Sequence, residues 1–445
     1  MYVKDRPMIR RLFALTLFAV AAAGARPASA QAPLDLDDAI ARTLTRHPAV
    51  AAAEAAERTA THRAGEARAG RLPVADLVES WQRGNQPVYA FGSLLAQRRF
   101  LAGNLALDAL NNPPAINNLR LGVAVEQPIF NRATEAAVRS ANAGTDMAGI
   151  ARTAVASDLR LAATMAYADL ASATAVHGAA DRAVAAAAAD RERAGHRRDV
   201  GRATDADVLQ FDVHVARARA QQARAVAVEQ TARARLNDLI GEPLDAPTAT
   251  APLAARPSAP SLPASLDVAG RPDVRLAAAR ESQAAAQVAG ARAAFLPQVS
   301  AQAGWEANGG TWASRSPSWV VGVSGRLNLF RGFADRERLA AARSDAEQRA
   351  AERRQVESTA RVELVAARAA LEAAVAAETA MTAAVTQARE SQRIVRDRYE
   401  QGLAESVALL RAAELVFEAE ASEASASAGV LTARAALDRA TGSGR

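Results

Sequence analysis

The chain has no cysteine in its 445 residues, which excludes disulfide staples, thiolate chemistry and a lipidated cysteine at a processed N-terminus. Lysine is nearly absent too. Lys4 is the only one, and the remaining cations are arginines in an Ala-rich background, as codon bias in a GC-rich genome would produce without any phosphate-binding role. Aromatic residues make up 4% of the chain. Histidines 47, 62, 177, 196 and 214 are scattered, and without cysteine they suggest no metal site. No HExxH, GxSxG, Walker or dinucleotide-binding pattern occurs, so no enzyme constellation or cofactor site is indicated. Beyond residue 30 there is no uninterrupted apolar run of about 18 residues, so no transmembrane helix is expected.

The formal charge of +6 suggests a nucleic-acid binder until the N-terminus is set aside. Lys4, Arg6, Arg10, Arg11 and Arg26 oppose only Asp5 in residues 1–30, and what remains has little net charge and no basic block. The electrostatic case for nucleic acid is therefore weak. Residues 1–30 read as a secretory signal: Arg10 and Arg11, an apolar run over 12–23, then PASA ending at Ala30. The mature chain is expected to start near Gln31. Met8 could equally be the start, because MIRRLFALTLF is a complete signal by itself. An exported chain of this kind is either periplasmic or held in a membrane by strands.

Overlaying the two halves reveals a duplication. HPAV at 47–50 and RLP at 71–73 match RPDV at 271–274 and FLP at 295–297; the strand-like RLGVAVEQPIFNR matches VVGVSGRLNLFRG through Gly122 with Gly322 and Phe130 with Phe330. Gly201, Leu209, Leu236 and Gly241 match Gly402, Leu410, Leu437 and Gly442. Three blocks in order argue for tandem repeats, 31–241 and 265–445. They are separated by a linker, 242–264, whose first 22 residues hold six prolines and no hydrophobic period. The first repeat carries 24 extra residues between its two strand candidates.

Each repeat reads as helix, strand, loop, strand, very long helix, helix. Alternation marks the strands. Val299, Ala301, Ala303 and Trp305 oppose Gln298, Ser300, Gln302 and Glu306; over 319–329, Trp319, Val321, Val323, Leu327 and Leu329 oppose Ser324, Arg326 and Asn328. In the first repeat Leu121, Val123 and Val125 oppose Gly122, Ala124 and Glu126. The segment 74–81 alternates poorly and is placed by its position in the repeat. Between the strands and the next turn, 131–200 would span ~105 Å as one helix, and 48–71 with 204–240 would stack to ~91 Å beside it. Ala at most contact positions permits close coiled-coil packing, or is simply the filler of a GC-rich genome. Asp35, Asp37 and Asp38 open a helix, where carboxylates cap free N–H groups and oppose the dipole.

Four two-faced strands cannot close a barrel alone, since the smallest membrane barrels need about eight, and open edges cannot face lipid. Several chains must therefore share one barrel. Its lumen face is expected to carry Glu126, Ser300, Gln302, Ser324, Arg326 and Asn328. Its lipid face or aromatic girdle is expected to carry Val123, Val125, Phe130, Trp305, Trp319, Val321, Val323 and Phe330. Arg98 and Arg99 in the longer loop could meet lipopolysaccharide phosphates, or be ordinary solvated residues.

LDLDDAIARTLTRHPAV at 34–50, EQPIF at 126–130, FLPQVSAQAGW at 295–305 and VGRATDADVL at 200–209, followed by a helix ending in LNDLIG, together resemble the TolC-type outer membrane efflux proteins across the whole mature chain. The resemblance implies a mainly α fold with a membrane β part: duplicated long-helix hairpins form an α-barrel tunnel in a homotrimer whose protomers give four strands each to a shared 12-stranded barrel. It implies a passive exit duct in the outer membrane, joined to an inner-membrane pump or type I secretion system through a periplasmic adaptor. By position, Val200, Gly201, Asp205, Asp207, Gly402, Leu403 and Glu405 become candidates for the adaptor-docking or gating tips, or are only cap and turn residues. The family often has an acid six residues after each tip glycine. Asp207 fits, but Ala408 does not, so an acidic ring from the second repeat is not expected. A periplasmic coiled-coil scaffold without a pore is the competing reading.

Overall fold

The computed structural model describes residues 33–253 and 267–442; the expected signal peptide and part of the linker lie outside them. Thirteen numbered elements follow in order: α1 (Leu36–Arg46), α2 (Pro48–Ala69), β1 (Val74–Gly84), α3 (Pro87–Ala96), α4 (Leu107–Asn111), β2 (Ile116–Phe130), α5 (Arg132–Asp199), α6 (Asp205–Ile240), α7 (Pro272–Ala293), β3 (Gln298–Gly309), β4 (Arg315–Arg326), α8 (Ala334–Glu400) and α9 (Ser406–Thr441). The expected combination of long helices with four strands is present, in duplicate. Helices α2 and α7 have 22 residues each, α6 and α9 have 36 each, and α5 and α8 have 68 and 67. None of the described helices is long and apolar enough to cross a membrane.

At 1.5 Å per residue α5 is ~100 Å long, far more than one globular core could cover. Helix α5 packs on one flank against α2 and α6 and on the other against α7 and α9, which in turn pack against α8. The columns therefore alternate: a stacked short pair, a long helix, a second stacked pair, a second long helix. Alanine makes this possible. Ala163, Ala168, Ala173, Ala180, Ala187 and Ala194 are all buried along α5, where a small side chain lets neighbouring backbones approach.

Larger side chains gather in three clusters along the length. Near mid-height Leu34, Leu36, Tyr167, Leu170, Leu236 and Ile240 pack together, with the Tyr167 hydroxyl donating to the Leu34 carbonyl at 3.0 Å. The second-repeat counterpart holds Val268, Val274, Leu364, Leu371 and Leu437. The buried Arg271 guanidinium ties its base, reaching Asp273 at 2.7 Å and Glu363 at 2.6 Å. The third cluster joins the repeats at the turns farthest from the sheet: Ala194, Val208, Phe211, Tyr399 and Leu409.

Local chemistry sets the ends of the helices. Asn131 caps α5 by accepting from the amides of Ala133 and Thr134 at 3.0 and 3.3 Å. Gly241 and Gly442 end α6 and α9 in the left-handed conformation, each with φ of 70°. One capping expectation needs correcting: Asp35 occupies the N-cap position of α1 without a side-chain cap bond. Asp37 and Asp38 sit in the first turn, so their contribution is to the helix dipole. His47 separates α1 from α2, and its Nδ1 accepts from the Ala49 amide at 3.2 Å.

The four strands form one antiparallel sheet in the order β1-β2-β3-β4. Several strand ends differ from the alternation pattern, β3 for one continuing to Gly309. Strand β1 continues to Gly84, and β4 runs from Arg315 to Arg326, so Leu327, Asn328, Leu329 and Phe330 lie beyond it. Asn328 turns instead to the start of α8, donating to Asp335 at 2.7 Å. That partner is buried, and a buried carboxylate gains more from a donor than a solvated strand end would.

Candidate functional site

Antiparallel pairing places directly opposed residues on the same face of a sheet, so the register decides which side chains share a surface. Glu126 pairs with Gln302, Ser300 with Ser324, and Gln298 with Arg326. These residues occupy one face together with Asp76, Ser80, Asn118, Arg120, Glu306 and Asn308. The face is cross-linked by polar contacts: Arg120 meets Glu306 at 2.7 Å, Asn118 donates to Asn308 at 2.9 Å, and Ser300 and Ser324 are 3.1 Å apart. The other face gathers Leu77 with Val123, Val125 with Ala303, Val123 with Trp305, Trp305 with Trp319, Ala303 with Val321 and Ala301 with Val323. Leu77, Trp319, Val321 and Val323 are exposed. The weak alternation of β1 has its reason here: Val74 and Val78 fall on the polar face, and Glu79 on the apolar one.

Phe130 shows what register adds to parity. By simple alternation it would share the polar face with Glu126. The pairing slips between Pro128 and Phe130, so that Pro128 opposes Ser300 and Phe130 opposes Val299. Proline cannot donate to the ladder and favours such an irregularity, and the slip moves Phe130 to the apolar face. Arg132 lies 5.4 Å from its ring centroid. Phe330, beyond β4, stands edge-on to Phe333 at 5.3 Å. From the level of Val299 to that of Gly309, ten residues at ~3.3 Å and a tilt of ~40° give a band ~25 Å tall, the thickness typical of outer-membrane barrels; it is mostly apolar as far as Trp305 and Trp319, and the Glu79–Arg315 ion pair, 2.8 Å, lies at its outer rim.

The opposite end of the molecule is the pair of helical turns. Gly201 and Gly402 both have positive φ, 70° and 80°, a reversal that costs other residues steric strain. Val200 and Leu403 beside them are exposed. Asp207 is not a free acid at this tip. Its carboxylate accepts from the Thr204 amide at 3.0 Å, the Thr204 hydroxyl at 2.8 Å and the Ser406 hydroxyl at 2.8 Å. The Thr204 amide, then the two hydroxyls, hold its pKa below the usual carboxylate value. Asp207 thus closes the capping box of α6 and fastens it to the first residue of α9. Asp205 lies in the first turn of α6, and Glu405 is the N-cap residue of α9 without a side-chain cap bond.

The sequence reading missed the residues that join the two turns. Arg197 donates to the backbone carbonyls of Tyr399 and Glu400 and stacks 4.7 Å from the Tyr399 ring centroid. Tyr399 in turn packs on the fully buried Phe211, centroids 6.0 Å apart. Asp190, buried, pairs with Arg193 and lies 3.8 Å from Arg396. No motif links these positions, because they are separated by about one repeat length and meet only when α5 and α8 lie at the same height. Among the described residues no group of His, Asp and Glu could hold a metal ion.

A two-faced four-stranded sheet on one end of a ~100 Å helical column narrows the choice of family, and sequence comparison decides it. The outer membrane efflux protein model matches residues 39–242 and 265–443. The chain belongs to the outer membrane efflux protein family. That family comprises outer membrane channels rather than enzymes. No curated protein matches the chain in sequence. Solved structures share the fold: the outer membrane protein VceC of Vibrio cholerae superimposes with a TM-score of 0.77 at 22% identity, covering 92% of this chain and 96% of that one. The CmeC outer membrane channel of Campylobacter jejuni gives 0.80 at 16%, covering 92% and 86%. The open-state MtrE channel of Neisseria gonorrhoeae gives 0.77 at 20%, covering 92% and 88%.

Proposed function

We propose that three copies of this chain close a 12-stranded barrel in the outer membrane and an α-helical tunnel beneath it, forming a passive exit duct. The observation that carries this reading is the register: one mainly polar and one mainly apolar face run through all four strands, while β1 and β4 leave an edge each. Unpaired backbone at an edge is not tolerated in lipid. Joining β4 of one copy to β1 of the next satisfies both edges and repeats until the barrel closes, with the polar face lining the lumen.

The helices support the same symmetry. Within one chain, α5 of the first repeat packs against the short helices α7 and α9 of the second, whereas no comparable packing joins α8 to α2 or α6. That missing contact is supplied when α8 meets the α2 and α6 of a neighbouring copy. The tips around Val200, Gly201, Gly402 and Leu403 then project into the periplasm, where exposed apolar side chains on tight turns suit docking of a periplasmic adaptor. The adaptor in turn connects to an inner-membrane pump, which supplies the energy. Export to this site requires the cleaved signal expected in residues 1–30.

Native mass spectrometry of the protein extracted from outer membranes in mild detergent tests the assembly, with a trimer expected and a soluble monomer or dimer refuting it. Val323→Asp separates a channel from a periplasmic coiled-coil scaffold. The membrane-assembled trimer is lost if that side chain faces lipid, and a scaffold tolerates the change.

A further inference from the structure

The 31 residues between β1 and β2, numbered 85–115, do not extend away from the sheet. They fold back over its polar face at the end remote from the helices, touching all four strands. The Tyr89 ring lies against Gly84 of β1, 3.4 Å from where a Cβ would stand. Gln97, buried, donates to the Asn117 carbonyl at 2.7 Å and to Asn118 Oδ1 at 3.0 Å on β2. Arg99 donates to Gln97 Oε1 at 3.2 Å and sits over Gly310, next to the end of β3, while Ser316 of β4 donates to the Gln97 carbonyl at 2.9 Å. Arg98 takes a left-handed φ of 54° to reverse the chain, and donates to the Pro317 carbonyl at 3.0 Å. Both arginines are therefore used in holding the segment down.

The anchored side of α3 is small and buried, Ala90 and Ser93, whereas Val88, Phe91 and Leu95 form an exposed stripe on its far side. Leu101, Leu105 and Leu107, in the residues that follow, are exposed as well. Apolar side chains grouped on a surface that faces away from both the sheet and the apolar band need a partner. The corresponding loop of the second repeat, 310–314, is too short to supply one.

We infer that this surface docks against the same segment of the other two copies, making a lid across the outer mouth of the channel. The inference rests on the shared-barrel reading and continues its interface from the strand seam to the axis. Dimensions select a second copy as the occupant. Twelve strands ~4.8 Å apart and tilted by ~40° give a circumference of ~75 Å and a radius of ~12 Å. A helix with its side chains is ~10–12 Å across, so a helix lying on the inner wall reaches the axis, where two identical surfaces meet it. The lid is apolar at its centre and hydrogen-bonded to the wall at its rim.

The absence of native cysteine makes the test direct. Val88→Cys, Leu101→Cys and Leu105→Cys are introduced singly into the full chain, oxidised in native outer membranes and run without reductant. The expected product is a cross-linked dimer, since the third copy has no thiol left to pair with; Val321→Cys, on the apolar face, remains uncross-linked. Replacing 87–111 by a short Gly-Ser segment is expected to raise single-channel conductance severalfold, because it unblocks the outer mouth. A native trimer that gives no cross-link at any of the three positions and unchanged conductance after the replacement overturns the lid alone. A wild-type chain that is monomeric overturns the shared barrel and the lid together.

Discussion

Val320 and Val321 are adjacent in β4 and equally exposed, 68% and 66%, yet they lie on opposite faces: Val320 opposes Gly304 and Val321 opposes Ala303. In a water-soluble sheet an arginine would cost about the same at either position. In a membrane barrel it would not. Val321 stands four residues above the level of Val299, ~13 Å along the strand and ~10 Å up a band ~25 Å tall, close to its middle. Arginine on the lipid face at that depth costs ~2–4 kcal/mol per copy, or ~6–12 kcal/mol in a trimer, which is ~10⁴-fold or more in the assembly equilibrium. Val320→Arg places the same charge in the watery lumen and is expected to stay within ~0.5 kcal/mol of wild type. The assay is the amount of SDS-resistant trimer in the outer-membrane fraction, followed by urea unfolding in lipid vesicles. Similar losses from the two variants, or a larger loss from Val320→Arg, would refute the assignment of faces.

Other perturbations probe the helices. Phe211→Ala removes a fully buried ring from the cluster joining the two turns and is expected to cost ~3–5 kcal/mol, seen as faster amide exchange confined to the tip residues. Burial holds the His214 imidazole below its usual pKa; the unfolded chain therefore binds more protons as pH falls below ~6.5, and the tip loses stability on acidification from pH 7 to 5. His214→Gln should flatten that pH dependence, and an unchanged slope would assign it to other groups. Gly201→Ala meets open space and suffers only the strain of its positive φ, ~1–2 kcal/mol. Gly442→Ala shares that strain and also drives its Cβ to 2.8 Å from the Gly270 backbone, so its melting temperature should fall further than that of Gly201→Ala.

Periodicity carried a large part of the fold because the elements are long and duplicated. The 131–200 helix is observed as α5, 132–199, and the polar and apolar positions of β3 are those its alternation specifies. A strand that faces water on one side and an apolar phase on the other must alternate, and Ala, Glu, Arg and Leu over 68 residues have no better conformation than helix. The clearest departures occur where a local bond outweighed the pattern. Asn328 continues the alternation on paper, but the buried Asp335 draws it out of the sheet. Asp207 stands six residues after the tip glycine, where the resemblance places an acid, but Thr204 and Ser406 take up its carboxylate.

What the sequence by itself determined is the repeat, the helix lengths, the two-faced strands and the family, since each follows from residues close together or from an ordered set of short matches. Only the tertiary structure decided which distant residues meet. Arg197 contacts Tyr399 because two helices of nearly equal length bring turns 201 residues apart to the same height. Phe130 reaches the apolar face through a slip in pairing with β3, a partner more than 160 residues away. The polar-face anchor at Gln97 depends on β2 and β4 presenting Asn118 and Ser316 on either side of Asn308 of β3, and which residues meet across strands is a property of register, which composition and spacing along one strand do not contain.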